Sequence, residues 1–325
     1  MNKKTILVIF TGGTISMVKH ENQRMGIGDN LHDLIDVMQQ ELPDISVLSH
    51  TFSLKPSPFI TPSDMFDLAK LVDKKLKDPS IHGVVITHGT DTLEETAYFL
   101  DLYLKHHKPV VFTGSMRGYK EIAYDGLSNL RSSLLVASCD ESIGKGVLVC
   151  LNDAINTARE VTKTHTLSLD TFKSLEFGPI GIVEQENVIY SRIPPRDTPY
   201  IHPEFINNNV ALIKTVSGES SDILNLLIDN NVKGFVIEAL GRGNVTPQMV
   251  LGIKRAIDQG IPVILTSRVP TGRVLDNYGY EGGGHQLKQI GVIFANSLNG
   301  QKARIQLILA LGITSDFNQL RTLFA

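Results

Sequence analysis

The stretch VIFTGGTIS, from Val8 to Ser16, sets two adjacent glycines between two threonines at the end of an apolar run. Leu7, Val8, Ile9 and Phe10 show no polar alternation, which is how a parallel strand reads when helices cover both faces of its sheet. Glycine accepts strained dihedrals and lets its backbone approach another group closely. The pair Gly12-Gly13 therefore predicts a tight turn that presents Thr14. Two phosphate-binding signatures do not fit. A P-loop needs a Gly-Lys-Ser/Thr sequence four residues after its first glycine, and a dinucleotide fingerprint needs three spaced glycines.

Outward from this stretch, similar apolar runs recur at Gly83–Thr87, Pro109–Thr113, Gly146–Leu151, Val210–Lys214, Gly234–Glu238 and Pro262–Thr266. Segments of helical period lie between them. After Thr92, the residues Leu93, Ala97, Leu100 and Leu104 form one apolar stripe, and Thr92 with Glu95 reads as a capping box. Ser63–Leu76, Pro247–Ile257 and Ala303–Leu311 are further helix candidates. Repeated strand–helix alternation predicts an α/β protein of two domains, each a mostly parallel sheet flanked by helices, with the N-terminal domain larger. Residues 191–209, SRIPPRDTPYIHPEFINNN, hold four prolines and three successive asparagines. Prolines interrupt regular structure, so this segment is expected to link a domain over 1–190 to one over 210–325.

Composition excludes several classes. A chain that is 42% hydrophobic and 20% charged can fill real cores and is not a disordered one. Its formal net charge of -3 lacks the basic excess that phosphate neutralisation demands, so no nucleic-acid partner is expected. Cys139 and Cys150 cannot build a disulfide framework and fit a reducing compartment. Lys3 and Lys4 precede a short apolar run, but TGGT stands where a secretory leader would carry small residues. No stretch reaches the roughly 18 apolar residues of a membrane span. The expectation is a soluble, cytoplasmic protein with no membrane partner.

In open parallel sheets, chemistry gathers at the carboxyl ends of the strands. The run at Gly83–Thr87 leads into HGTDTLEETA, His88 to Ala97, where Thr90 and Asp91 precede a helix. The run at Pro109–Thr113 leads into FTGSMRGYKEIAYDG, again Thr113 and Ser115 beside a glycine. The next run meets Asn152-Asp153 and then AREVTKTHT, with Arg159, Glu160, Thr162, Lys163 and Thr164. There is no HExxH, no Cys/His cluster and no GxSxG elbow, so neither metal nor cofactor is expected. A threonine, lysine and aspartate together would supply an activating base, and backbone amides at a glycine turn would stabilise an oxyanion.

TGGTI at Thr11–Ile15, HGTDTLEETA, and NDAINTAREVTKTHTLSLDTFKS at Asn152–Ser174 occur in that order. SRVPTGRV at Ser267–Val274 and LNGQKAR at Leu298–Arg304 follow. With this set the chain resembles the bacterial-type L-asparaginases, and SLKPSPF at Ser53–Phe59, with no secretory leader expected, resembles their cytoplasmic, type I branch. The resemblance implies hydrolysis of the side-chain amide of L-asparagine to L-aspartate and ammonia, through a threonine nucleophile and an acyl-enzyme. It implies Thr14 as primary nucleophile, and Thr90 as the second threonine beside the substrate. Asp91 would bind the α-amino group, with Lys163 completing the hydrogen-bonded group. Ser57, in KPSPFITP, would hold the substrate carboxylate. Asn244, in GRGN, would support the site from a subunit interface, and Glu281, in NYGYEGGGHQL, would lie near the amine of a neighbouring subunit's substrate. The implied assembly is a homodimer or homotetramer with sites near subunit interfaces.

One departure stands out. Family members commonly carry a tyrosine in the loop after TGGTI, and residues 16–30, SMVKHENQRMGIGDN, contain none. Tyr278 and Tyr280 are candidates to replace it. Two other readings remain: an inactive asparagine-binding or sensing protein, favoured by the missing tyrosine, and a glutaminase subunit of a tRNA-charging transamidase, opposed by the net charge.

Overall fold

The computed structural model describes residues 3–19, 25–27, 31–194 and 198–325. It divides into two compact units, Met1–Tyr200 and Ile201–Ala325. Each is built by strand–helix alternation.

The first unit runs β1 (Lys4–Gly12), β2 (Met17–Lys19), β3 (Met25–Ile27), α1 (Leu31–Glu41), β4 (Ile45–Lys55), α2 (Pro62–Leu76), β5 (Ile81–Thr87), α3 (Leu93–Tyr103), β6 (Val110–Thr113) and α4 (Gly126–Ser138). It continues with β7 (Val147–Leu151), β8 (Ala154–Thr157), β9 (Val161–Lys163), β10 (Phe172–Ser174), β11 (Gly181–Glu184) and β12 (Asn187–Tyr190). The main sheet has the order β12-β11-β8-β7-β6-β5-β1-β4. Strands β4, β1, β5, β6 and β7 are parallel, and β8, β11 and β12 extend the sheet antiparallel. The carboxyl ends of β1, β5 and β6 therefore open on one edge, where parallel sheets place their chemistry.

The apolar runs read from the sequence are the central strands, and Ile6, Val8, Val85, Val111 and Leu148 share one buried core. The sheet is mostly parallel, as expected, and turns antiparallel toward one edge. Asn152 and Asp153 both take the left-handed conformation there, with φ of 50° and 58°. That is the two-residue turn whose twist suits a hairpin, so β7 folds back into β8 instead of crossing over. β4 has no counterpart among the predicted runs because it is an edge strand, ISVLSHTFSLK, with most of its residues partly or fully exposed.

Helix starts differ from expectation in the last long helix, which begins at Gly300 instead of Ala303, and in the capping of α3. α2 has a full capping box: Thr61 Oγ1 accepts from Asp64 N at 3.2 Å, and the Asp64 carboxylate accepts from Thr61 N at 2.9 Å. α3 does not use the Thr92–Glu95 box. The Thr92 hydroxyl makes no cap bond to its own helix and instead donates to the Ser57 carbonyl at 2.9 Å. Nor is α3 a one-stripe helix. Leu93, Ala97, Leu100 and Leu104 are buried, but so are Tyr98, Phe99 and Tyr103. α2 packs against α3, with the Phe66 ring against Phe99 and edge-on to Tyr103.

The second unit runs β13 (Val210–Lys214), α5 (Asp222–Asp229), β14 (Gly234–Ala239), α6 (Pro247–Asp258), β15 (Val263–Ser267), α7 (Gly284–Gln289), β16 (Ile293–Phe294), α8 (Gly300–Ala310) and α9 (Phe317–Leu323). Its sheet, β13-β14-β15-β16, is parallel throughout. Ahead of it, residues 198–209 have no helix or strand. Among the described residues no helix is long and apolar enough to cross a membrane.

Close packing of α4 on the sheet depends on Gly83 in β5. A Cβ at this position would lie 2.5 Å from the carbonyl oxygen of Ala137 in α4. Backbone cannot yield as a flexible side chain does, and overpacking of this kind costs about 1–3 kcal/mol. Gly83→Ala is expected to lower stability by that amount in urea unfolding. An unchanged midpoint would show that α4 is free to shift.

Candidate active site

The ends of four strands, β1, β4, β5 and β6, meet closely. Gly12 and Gly13, at the end of β1, have φ of 107° and 85°, which side-chain-bearing residues rarely adopt. A Cβ on Gly12 would lie 2.4 Å from Lys55 O, and one on Gly13 only 2.3 Å from Gly89 N. A Cβ on Gly89 would lie 2.7 Å from Ser57 Oγ, and one on Gly114 would lie 2.5 Å from His88 O. No side chain fits any of these contacts. Thr14 follows Gly13 and Thr90 follows Gly89, so the two threonines leave the same point of closest approach. Ser57 sits against it from a third segment.

Lys163, at the end of β9, is brought in by a short hairpin in which it pairs with Phe172 of β10. Its Nζ donates to Thr90 Oγ1 at 2.9 Å and to Asp91 Oδ1 at 2.7 Å. The Asp91 backbone N–H donates to Ser57 Oγ at 3.3 Å. The structure thus brings Ser57, Thr90, Asp91 and Lys163 into one hydrogen-bonded group, with Thr14 entering through the Gly13–Gly89 contact. The Lys163 side chain is 16% exposed, whereas that of Asp91 is 61% exposed. An ion pair with one partner so far into water contributes at most about 1 kcal/mol. What the pair accomplishes is placement: it holds an ammonium on the Thr90 hydroxyl while leaving carboxylate surface open to a ligand cation.

Sequence reasoning missed the group behind Lys163. Glu94, in the first turn of α3, is buried, and its Oε1 accepts from the Thr162 hydroxyl at 3.0 Å and from Lys163 N at 3.3 Å. A buried carboxylate is tolerated only when hydrogen-bonded. These bonds fix the lysine's backbone to the helix that carries Thr90 and Asp91 at its start. The available signal was a charged residue in an apolar helix that burial leaves no outward face.

The repeated pattern of hydroxyl beside glycine is mostly structural. Thr11 Oγ1 donates to Thr87 O at 2.8 Å, Thr113 Oγ1 to Cys150 O at 2.8 Å, and Ser115 Oγ to Arg117 O at 2.7 Å. These hydroxyls staple strand ends and the loops that leave them. Tyr124 makes a similar tie, its hydroxyl donating to Ile15 O at 2.8 Å. Residues 20–24 and 28–30 of the tyrosine-free segment 16–30 lie outside the described residues.

The second unit carries the remaining candidates. Asn244 bridges back to Leu240 after β14, and its Oδ1 is buried with no hydrogen-bond partner among the described residues. The adjoining loop is tied to it by Val245 N donating to Gly282 O at 2.9 Å, next to the exposed Glu281. Tyr278 and Tyr280 stack on each other at 5.4 Å in the same loop, and both are exposed. The structure thus groups Asn244 and Glu281 with each other.

The chain is similar to known proteins over nearly its whole length. Residues 5–196 match the family model described as asparaginase, N-terminal, and residues 209–324 match the glutaminase/asparaginase C-terminal domain. An L-asparaginase of Bacillus licheniformis is 33% identical over 312 residues, covering 96% of each chain. A glutaminase-asparaginase of Acinetobacter glutaminasificans is 30% identical, covering 99% of each chain. A crystal structure of a probable cytoplasmic L-asparaginase from Campylobacter jejuni superposes with a TM-score of 0.88 at 31% identity, covering 99% of both chains. The two matched models, of asparaginase and of glutaminase/asparaginase, define a class of amidohydrolases. The chain belongs to the bacterial-type L-asparaginase family.

His88 is fully buried beside the site. Its backbone N–H donates to Thr113 O at 2.8 Å. Its Nδ1 lies 2.7 Å from the Gly89 carbonyl, which can only accept, so Nδ1 carries the proton and Nε2 accepts from Thr96 Oγ1 at 2.9 Å. Full burial pushes the imidazole down to about 4, against a smaller upward pull from the Gly89 carbonyl. The folded protein keeps His88 neutral, while the unfolded chain takes up a proton below about pH 6.5. Its contribution to stability is therefore complete above pH 6.5 and is lost as pH falls toward 4, about 3 kcal/mol in all. The slope of unfolding free energy against pH between 4 and 6.5 is expected to be smaller in His88→Asn than in the parent. Equal slopes would mean that His88 is protonated in the folded state.

Proposed function

We propose that the chain hydrolyses the side-chain amide of L-asparagine, with Thr14 as nucleophile. One observation carries this reading: two threonines diverge from a single glycine contact, and a lysine bonds one of them together with the neighbouring aspartate. Family membership supports amidohydrolase chemistry in general. The residue roles are our assignment.

Thr14 Oγ attacks the side-chain carbonyl carbon. The tetrahedral intermediate collapses by breaking the carbon–nitrogen bond, and ammonia leaves with the proton that Thr14 gave up. A β-aspartyl ester remains on Thr14. Water then attacks the ester, releases L-aspartate and returns a proton to the threonine. Thr90, held by Lys163, hands protons across these steps. An unperturbed hydroxyl is a weak nucleophile, so its activation rests on placement.

Substrate recognition follows from the same bonds. Ser57 Oγ accepts from Asp91 N, so its own proton is available to the substrate carboxylate. The exposed side of the Asp91 carboxylate receives the α-ammonium. Leaving either charge unpaired in a closed site would cost about 2–5 kcal/mol, which favours a small zwitterion. A second copy of the chain, in a homodimer or homotetramer, presents Asn244 and Glu281 to this site, and its Tyr278 or Tyr280 stands in for the absent loop tyrosine. No cofactor enters. A cytoplasmic setting agrees with the description of the Campylobacter relative. Glutamine differs from asparagine by one methylene, worth about 1–3 kcal/mol in a pocket, and the Acinetobacter relative is described as a glutaminase-asparaginase.

Ammonia release from asparagine and from glutamine, with Thr14→Ala and Thr90→Ala beside the parent, tests the proposal. Asparagine turnover is expected in the parent and a loss of about 10³-fold or more in either variant. Parental turnover in Thr14→Ala would remove Thr14 from the chemistry. Asparagine binding with no ammonia from the parent would favour the sensing protein instead.

A further inference from the structure

We propose that Tyr124 is a positioning residue for Thr14: its hydroxyl tethers the Ile15 carbonyl and so fixes the turn that aims the Thr14 hydroxyl. This rests on the assignment of Thr14 as nucleophile.

The loop between β6 and α4 is built to hold one ring in one place. The Asp125 carboxylate closes the loop, accepting from Met116 N at 3.0 Å, from Arg117 N at 2.9 Å and from Asn129 Nδ2 at 2.9 Å. Glu121 Oε2 accepts from Gly118 N at 2.8 Å. Inside this frame Lys120 and Ala123 have φ of 72° and 62°. Residues with a Cβ pay a penalty there and persist only where their surroundings over-determine them. Ala123 immediately precedes Tyr124, so the strained step sets the direction in which the ring leaves the chain.

The ring is held on two sides. Tyr119 packs edge-on against it, with centroids 5.5 Å apart. Its other side lies across Gly126, the first residue of α4. A Cβ on Gly126 would fall 2.2 Å from Tyr124 Oη and 2.3 Å from Cζ. The ring therefore occupies a slot that exists only because residue 126 has no side chain. From that slot Oη reaches Ile15 O at 2.8 Å. Burial raises the phenol's pKa, with Asp125 and Tyr119 adding to the effect, so the group keeps its proton and donates to the Ile15 carbonyl.

The turn it holds has little rigidity of its own. Thr14–Ser16 is a single three-residue 3-10 turn, a form with poor hydrogen-bond geometry that is used in short pieces. Gly13, with a wide range of dihedrals, enters it, and the β2–β3 hairpin leaves it. The buried Ile15 side chain anchors one side of the residue, and Tyr124 fixes the carbonyl on the other. Thr14 is one peptide away. A displacement of about 1 Å at a reacting group can cost about 100-fold in rate, so a single bond at this distance matters to chemistry far more than to stability.

Two variants separate the tether from the ring. Tyr124→Phe keeps the ring and removes the bond. Gly126→Ala keeps the hydroxyl and displaces the ring. Both are expected to lower kcat for asparagine about 10-fold or more with KM within about twofold, because the substrate-holding groups are untouched. In a Thr14→Ala background, Tyr124→Phe should cause no further loss. Hydrogen exchange followed by mass spectrometry should show faster exchange at residues 14–17 in Tyr124→Phe. That readout needs no turnover, so a parent that releases no ammonia would sink the amidohydrolase assignment and still leave the tether tested. Parental kcat and parental exchange in Tyr124→Phe would overturn the proposal. An equal loss with and without Thr14 would also overturn it, since it would show a general structural role.

Discussion

The contact between Gly13 and Gly89 is the constraint on which the rest of the site depends. Two backbones approach to a distance at which a Cβ on Gly13 would sit 2.3 Å from Gly89 N. Real side chains never come so close, so position 13 must be glycine for β1 and β5 to end together, and position 89 must be glycine for Ser57 to lie against them, since a Cβ there would sit 2.7 Å from Ser57 Oγ. Once they do, the next residue of each chain segment is a threonine, and Ser57 is pressed against the same point by β4's exit. The convergence of Thr14, Ser57 and Thr90 is thus a property of main-chain geometry. The side chains inherit it.

Around this contact, bonds of little energetic value have large geometric consequences. The Lys163–Asp91 pair is too exposed to add much stability, yet it aims an ammonium at Thr90. Glu94 lies a helical turn behind and holds the lysine's backbone. Thr92, released from capping its own helix, ties that helix to Ser57. His88 stays neutral in the core and joins the β5 exit to β6 and α3. Each bond is a modest one, and together they leave the reactive groups few other positions to occupy.

Much of this is legible in the amino-acid order alone. The central parallel strands announce themselves as unbroken apolar runs, and Val210–Lys214 matches its strand at both ends. Thr14, Ser57, Thr90, Asp91 and Lys163 all lie at strand ends or in recognisable motifs. The features that sequence reasoning misses share a physical cause: the deciding information is non-local. β4 is an edge strand with many exposed polar residues. The β7–β8 hairpin depends on the backbone conformation of Asn152 and Asp153. The Thr92–Glu95 box is locally sound, but a carbonyl from residue 57 competes for the hydroxyl and wins. Tyr124 lies 109 residues from the carbonyl it binds, and Glu94 lies 68 residues from Thr162. No periodicity or spacing rule reaches across such distances. The hydroxyl–glycine pattern shows the converse. It marks the right edge of the sheet, although Thr11, Thr113 and Ser115 are staples.

The proposed mechanism stands or falls on which atom becomes acylated. The most direct measurement is acid quenching of the protein during turnover of asparagine, followed by mass spectrometry of its peptides. A β-aspartyl adduct on the peptide bearing Thr14, absent in Thr14→Ala, is the predicted result. An adduct on the peptide bearing Thr90, with Thr14 unmodified, would contradict that mechanism and exchange the roles of the two threonines.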